Sequence, residues 1–321
     1  MTAPSAADLI ILGNVNVDLI LGPLQQWPAE GQEVLVPALQ WRVGGNAGNA
    51  ALACHALGLD ARTVTPVGPD LAGQWLRGQL PARAVHWLAC AAPTSVTAAF
   101  SHPGSERSFI TYLGHLAHVT WPDLRPHLPH ARAALLAGAF LTPHLRSAYP
   151  EVLQDLRARH IPVALDFGWP DTGFTSAVQT EVLSWLPGVQ HLLINELEAT
   201  SLTGESDVTA AAAALAAQMP PSAVVAIKCG AQGVLAWHGG QVSVVAAPRV
   251  VVVDSVGAGD TWNAAYLQAI LGGQPILTAL QRAVTVASHA ISTSPRHFLT
   301  WEPAPRTEDE PARPSVGSPG R

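Results

Sequence analysis

Lysine is nearly absent from this sequence. Lys228 is the single lysine in 321 residues, and the rest of the 17 Lys and Arg residues are arginine. Alanine crowds the chain, and Gly and Pro number 27 each, which is the usage of GC-rich coding. An arginine where a lysine would serve therefore carries little functional weight. Charge is scarce too: 12% of residues are charged and the formal net charge is −6. That balance argues against nucleic-acid binding through a general basic patch. Cysteine is confined to Cys54, Cys90 and Cys229, far apart and without a CxxC pair. Neither a disulfide scaffold nor a Cys-rich zinc site is expected, and a reducing cytoplasm fits. Mean hydropathy is +0.22, yet Pro, Gly, His and Arg interrupt every apolar stretch. No run reaches the ~18 apolar residues of a membrane span. Met1–Asp8 has no basic stretch leading into an apolar one, so no signal peptide is expected.

What is present is alternation. Asp8–Leu12, Ala61–Val67, Ala133–Ala137, Pro162–Asp166, His191–Ile194 and Ala223–Lys228 read as strands. They are continuously apolar, as parallel strands covered on both faces must be. Asn46–Leu57, Ser147–Arg159, Thr209–Gln218, Asp260–Leu271 and Ile276–Ala290 read as helices. Repeated β-then-α order predicts a doubly wound α/β sandwich. Two stretches break that order. Gln32–Val43 reads as extended, and Ser95–Tyr112 as two strands around a Pro103-Gly104-Ser105 turn. Paired into one small sheet, they would project as a lid. Residues 302–321 hold five prolines and almost no large apolar residue, which predicts a disordered tail after one domain over 1–301.

The sharpest chemical signal is Val250–Asp254 followed by Ser255-Val256-Gly257-Ala258-Gly259-Asp260. A β-branched run enters a glycine loop and a helical stretch leaves it. Gly257 and Gly259 let successive N–H groups point one way, and a helix N-terminus adds partial positive charge. Such a trap suits a phosphoryl group in transfer. Asp260, in the first turn, is placed to take a proton from a hydroxyl beside the trap. The same loop also reads as a plain helix cap. A second signal is Gly44-Gly45-Asn46-Ala47-Gly48-Asn49, in which the glycines admit close approach of a ligand and Asn49 offers donor and acceptor to a polyol. It also reads as a turn capped by Asn46, and GxGxxG cannot be laid on it.

Together these segments resemble the two signatures of the PfkB (ribokinase-like) carbohydrate kinase family, with Ser255 where the later signature usually has threonine. The resemblance covers about Asp8 to Ala290. It implies a ribokinase-like, doubly wound three-layer sandwich with a small β lid. It implies Asp260 as catalytic base, with the amides of Gly257, Ala258 and Gly259 as the anion trap. Asn16 and Asp18, in Gly13-Asn14-Val15-Asn16-Val17-Asp18, are similar to the family's substrate-binding N-x-D, and Gly44, Gly45 and Asn49 join them. Asn195 and Glu198 look like the N-x-x-E motif that holds waters of the Mg²⁺ on the nucleotide. Gly230 and Gly233 look like the turn bordering ATP, preceded by Lys228, which reads equally as a strand end. His289 is either a contact of the adenine pocket or a histidine on a half-buried helix. Arg107 either faces the sugar or guards a sheet edge. The family's frequent use of a monovalent cation, K⁺, makes Asp254 a candidate ligand for one.

The expected activity is transfer of the γ-phosphoryl group of ATP, with Mg²⁺, to a hydroxyl of a small sugar or sugar-like molecule. A nucleoside kinase of the same fold stays open, because Phe100, Phe109 and Tyr112 could stack on a base. A phosphosugar kinase would have only Arg42 with Arg107 as its cationic clamp. A non-catalytic sugar or nucleotide sensor is the reading outside enzymes. The expected partners are therefore a sugar or nucleoside, neither nucleic acid nor membrane, and a second copy of the chain through the lid. Thirteen histidines form no HExxH or similarly tight cluster, and the ten tryptophans read as packing.

Overall fold

The computed structural model describes residues 7–102, 107–294 and 296–299. In chain order the strands begin with β1 (Ala7–Gly13), β2 (Asn16–Gly22), β3 (Ala38–Gly44), β4 (Ala61–Val67) and β5 (Val85–Ala89). β6 (Val96–Ser101), β7 (Arg107–Tyr112), β8 (Ala131–Ala137) and β9 (Val163–Asp166) follow. β10 (His191–Asn195), β11 (Val224–Lys228), β12 (Val234–His238) and β13 (Gln241–Val245) complete them. The helices are α1 (Asn46–Ala56), α2 (Leu71–Gln79), α3 (Trp121–Leu124), α4 (Pro143–Ser147) and α5 (Tyr149–Ala158). α6 (Ser176–Trp185), α7 (Glu196–Thr203), α8 (Val208–Ala216), α9 (Ala258–Leu271) and α10 (Ile276–Ile291) end the series.

Nine strands form one sheet in the order β13-β12-β11-β10-β9-β8-β1-β4-β5. Its pairs are parallel from β5 through β11, and β12 and β13 close the edge antiparallel. The apolar runs are explained by two separate cores. In β1, Ile10 and Leu12 join the core beneath α5–α8, while Leu9 and Ile11 join the core beneath α1, α9 and α10. Both faces of each central strand are therefore dry, which is the three-layer α/β arrangement expected.

A second sheet, β3-β2-β6-β7, stands apart as the lid. Here the structure corrects the sequence reading in three ways. The two stretches expected to pair do not touch as strands, because β2 lies between β3 and β6. Asn16 and Asp18 consequently sit on a strand rather than in a loop. Their polar positions hide a period-2 pattern in which Val17 and Leu19 pack into the core and Asn16 and Asp18 face the other way. The extended stretch is a strand only from Ala38; residues 32–37 form none. The hairpin turn at 103–105 and the tail at 302–321 lie outside the described residues.

The run Val250–Val253 is not a strand either. Its residues are exposed, and Val253 donates its N–H to Ile291 O at 2.8 Å instead of joining a ladder. No helix among the described residues is long and apolar enough to cross a membrane.

Candidate active site

The central strands β1, β8, β9, β10 and β11 all end on one side of the large sheet, and the site candidates collect there. A crevice outside the carboxyl ends of parallel strands is where open α/β sheets bind ligands. Two clefts open there. The larger, about 840 Å³, is bordered by Asn195, Glu198, Lys228, Gly230, Gly233 and the glycine loop Gly257–Gly259. The smaller, about 410 Å³, is bordered by Asn14, Asn16, Asp18, Gly45, Asn49, Thr97 and the aromatic rings of Phe109, Phe140, Phe167 and Trp169. Asn46 and Asp260 belong to the walls of both.

The glycine loop feeds α9 through Gly257 at φ 71°, a left-handed conformation that glycine adopts without strain. The Ala258 N–H already donates to Ser255 O at 3.2 Å. Among the described residues the N–H groups of Gly257, Gly259 and Asp260 have no protein acceptor. The expected trap thus rests on Gly257 and Gly259 more than on Ala258. Lys228 also reaches it: a Cβ added to Gly259 would lie 3.3 Å from Lys228 Nζ. The ammonium is held by Asp166 Oδ2 at 2.9 Å and Asn263 Oδ1 at 3.2 Å. Asn263 Nδ2 donates in turn to Asp166 Oδ2 at 2.6 Å.

Asp260 is 5% exposed. Burial, reinforced by the charge of Asp166, pushes its carboxyl up to about 7, against the opposing pull of Lys228 and of hydrogen bonds from Asn46 and Asn49. Glu198 is buried and raised in the same way, by burial first and Asp166 second. It closes a capping box with Asn195, each side chain accepting the other's N–H, at 2.8 and 2.9 Å. Asp166, Glu198 and Asp260 thus edge one cleft with Lys228 as the nearby ammonium. Among the described residues no three His, Cys, Asp or Glu side chains are grouped to ligate a metal directly, so a divalent cation here would be held through its waters.

In the smaller cleft Asn16 Nδ2 donates to Asp18 Oδ1 at 2.7 Å and to Thr97 Oγ1 at 3.2 Å. Asn16 Oδ1 is buried without a partner among the described residues. Burial raises Asp18 to about 6, with Asn16 and Arg42 working against it. Gly44 makes this geometry possible, since a Cβ there would fall 2.0 Å from Asp18 Oδ1. The glycines thus admit the protein's own carboxylate. A buried carboxylate and an unpaired amide oxygen are acceptors awaiting hydroxyl donors.

Three candidates lie elsewhere than their ligand readings would put them. His289 does not border the large cleft, although Ala287, Ser288 and Ile291 do; its ring packs edge-on against His297, with centroids 5.6 Å apart. Arg107 turns to Asp254 Oδ1 at 2.8 Å rather than into the smaller cleft. Asp254 also receives Arg42 and Arg296, so three guanidinium groups surround one carboxylate. Burial opposes its ionisation, but the Arg42 hydrogen bond, the Val256 N–H and the Arg42 and Arg296 charges hold it below the usual carboxylate range.

Sequence reasoning missed Asp166 and Asn263, and read Asn46 only as a cap. Asp166 was the findable one: a carboxylate closing an apolar parallel strand points into the ligand crevice. Trp169 stands at the smaller cleft, so not every tryptophan is packing. Phe100, a candidate base-stacking ring, packs on Trp27 with centroids 5.3 Å apart.

Comparison with known proteins bears on the family and the fold. The pfkB family carbohydrate kinase pattern matches residues 6–296. Acarbose 7(IV)-phosphotransferase of Actinoplanes sp. is 28% identical, with 88% of this chain and 91% of that protein covered. The adenosine kinase structure from Sinorhizobium meliloti superposes with a TM-score of 0.77 at 22% identity, covering 92% of this chain and 97% of that one. The Arabidopsis thaliana ribokinase structure, complexed with ribose and ATP, gives 0.73 at 24% identity, covering 90% and 93%. The fold is thus ribokinase-like.

Proposed function

Since the chain belongs to the pfkB family of carbohydrate kinases, we propose that it transfers the γ-phosphoryl group of ATP to a hydroxyl of a small neutral sugar or sugar-like polyol, with Asp260 as general base. The observation that carries this reading is that Asp260 stands in the wall of both clefts. Whatever occupies the larger one meets whatever occupies the smaller one at this carboxylate.

ATP lies in the larger cleft, along Gly230, Gly233, Ala287 and Ile291, with its terminal phosphate at the N-terminus of α9. The free N–H groups of Gly257 and Gly259 stabilise charge that develops on the transferring group. Lys228 adds a fixed positive charge beside them. Asp18, Asn16 and Asn49 hold the polyol's hydroxyls in the smaller cleft, so that one hydroxyl reaches Asp260. Asp260 Oδ takes that hydroxyl's proton as its oxygen attacks phosphorus, and the hydrogen bond from Asn46 orients the accepting carboxylate. Glu198, Asp166 and Asn195 fit a hydrated Mg²⁺, which when bound neutralises charge on the phosphates. The lid sheet supplies one wall and excludes water from the reaction.

Among the described residues no cationic side chain borders the smaller cleft, which disfavours a phosphorylated acceptor. Its aromatic wall gives a second reading some support, a nucleoside as acceptor, since Phe109 and Trp169 offer faces to a base. The lid's outward Leu39, Trp41, Ile110 and Tyr112 favour a homodimer through the lid. The whole is read as one kinase domain with an inserted lid, working in the cytoplasm.

The test is ADP release over pentoses, hexoses, ketoses, sugar acids, phosphosugars and nucleosides with MgATP. Turnover with a neutral sugar supports the reading; turnover confined to phosphosugars overturns it.

A further inference from the structure

The family resemblance makes Asp254 a candidate ligand for a monovalent cation, and the residues present do not fit one. Three oxygens converge there: the main-chain O and Oδ2 of Asp254 and the main-chain O of Val256. Arg296 Nη2 is already at their centre, 3.4 Å from Asp254 O, 3.1 Å from Asp254 Oδ2 and hydrogen-bonded to Val256 O. Carbonyl and carboxylate oxygens gathered around one point are the donor set of an alkali cation, and here a guanidinium nitrogen fills it. Arg42 and Arg107 bind the same carboxylate. A further cation would face three guanidinium groups on the one carboxylate of Asp254, with Asp260 acting on Arg296 and Asp18 on Arg42 from farther off.

The consequence for the trap follows from peptide geometry. In a trans peptide the C=O and the next N–H point in opposite directions. With Val256 O fixed on Arg296, the N–H of Gly257 must point away from Arg296. Gly257 is the residue whose N–H opens the trap. Arg296 Nη1 stands so close that a Cβ on Gly257 would lie 3.0 Å from it, so the two are in direct register.

We propose that Arg296 is a built-in cation that orders the anion trap and makes phosphoryl transfer by this chain independent of potassium. The proposal deepens the kinase reading above and rests on it for the activity assay alone.

The experiment measures initial rates with MgATP and an accepted substrate in potassium-free tetramethylammonium buffer, then with KCl added. Wild-type rates are expected to agree within about twofold; stimulation by KCl beyond about tenfold, or about 1.4 kcal/mol, overturns the proposal. Arg296→Met is expected to lose about 10- to 100-fold in kcat with little change in KM for the acceptor. It should recover with KCl or guanidinium chloride, while Arg296→Lys stays potassium-independent. A loss in Arg296→Met that neither cation restores also overturns the proposal, because a merely structural arginine would behave that way. Thermal melting separates this from failure of the kinase reading. Wild type should melt alike in both buffers, and Arg296→Met should be stabilised by KCl, whether or not any substrate turns over. If Arg296→Met does not fold, the wild-type rates and melting decide alone: insensitivity to KCl supports the proposal and sensitivity ends it.

Discussion

Asn46 Nδ2 donates to Asp260 Oδ1 at 3.1 Å, tying the first residue of α1 to the first turn of α9. The two segments that carry the glycine patterns are more than 200 residues apart in sequence, yet this hydrogen bond joins them. Asp260→Asn keeps the shape and removes the base. The expected result is a loss of about 10²–10⁴ in kcat. Calorimetric titration should show ATP affinity retained. A variant with undiminished phosphorylation would remove Asp260 from the chemistry.

The same carboxyl sets the pH dependence. It is held up to about 7, and only its ionised form takes a proton, so kcat/KM should climb as pH rises through that value. The Asn46 hydrogen bond lowers it, so Asn46→Ala should move the acid limb to higher pH. Stability runs the other way. The folded protein binds a proton here that the unfolded chain has lost above its ordinary value of 3.8, so stability falls as pH rises from there through about 7. Asp260→Asn should therefore melt above wild type at pH 8, with the gap closing toward pH 4. An acid limb unmoved by Asn46→Ala would contradict the link.

Lys228→Met tests the sole lysine. It leaves the carboxylate of Asp166, 4% exposed, without its ion-pair partner. Removing one member of such a pair costs about 3 kcal/mol. Urea denaturation should show a lower midpoint, and the ATP KM should rise because the trap loses its fixed charge. Stability equal to wild type would mean that Asn263 alone satisfies Asp166.

Gly44→Ala should act on the acceptor and spare the nucleotide. Its Cβ displaces Asp18, and losing a charge-assisted hydrogen bond to a hydroxyl costs about 1.5–3 kcal/mol. The KM for the sugar should rise at least about tenfold with the KM for ATP unchanged. Equal rises in both would place Asp18 outside the acceptor site.

The sandwich was legible because most of its strands are apolar on both faces; β4 was read to the residue although it carries Arg62, Thr63 and Thr65. β2 was not, because its two most informative residues, Asn16 and Asp18, are polar and buried together, which a hydropathy pattern counts as a loop. The glycine loop and Asp260 were legible because local backbone demands fix those residue types. Asn263 was not, since it acquires meaning only through Lys228 and Asp166, 35 and 97 residues away along the chain; Asp166 carried one local signal, its place at the end of β9. Asp254 shows the converse: the family resemblance suggests an ion ligand, and the three arginines that bind it arrive from β3, β7 and beyond α10.

Because Asn46 and Asp260 wall both clefts, ligands occupying the two, as proposed, would meet at these two side chains. A single molecule joining an adenosine polyphosphate to a polyol would bind as one chelate, its second half arriving at an effective concentration in the millimolar range. Such a bisubstrate compound would bind far more tightly than either half, and its best linker length would measure the distance between attacking and leaving oxygens.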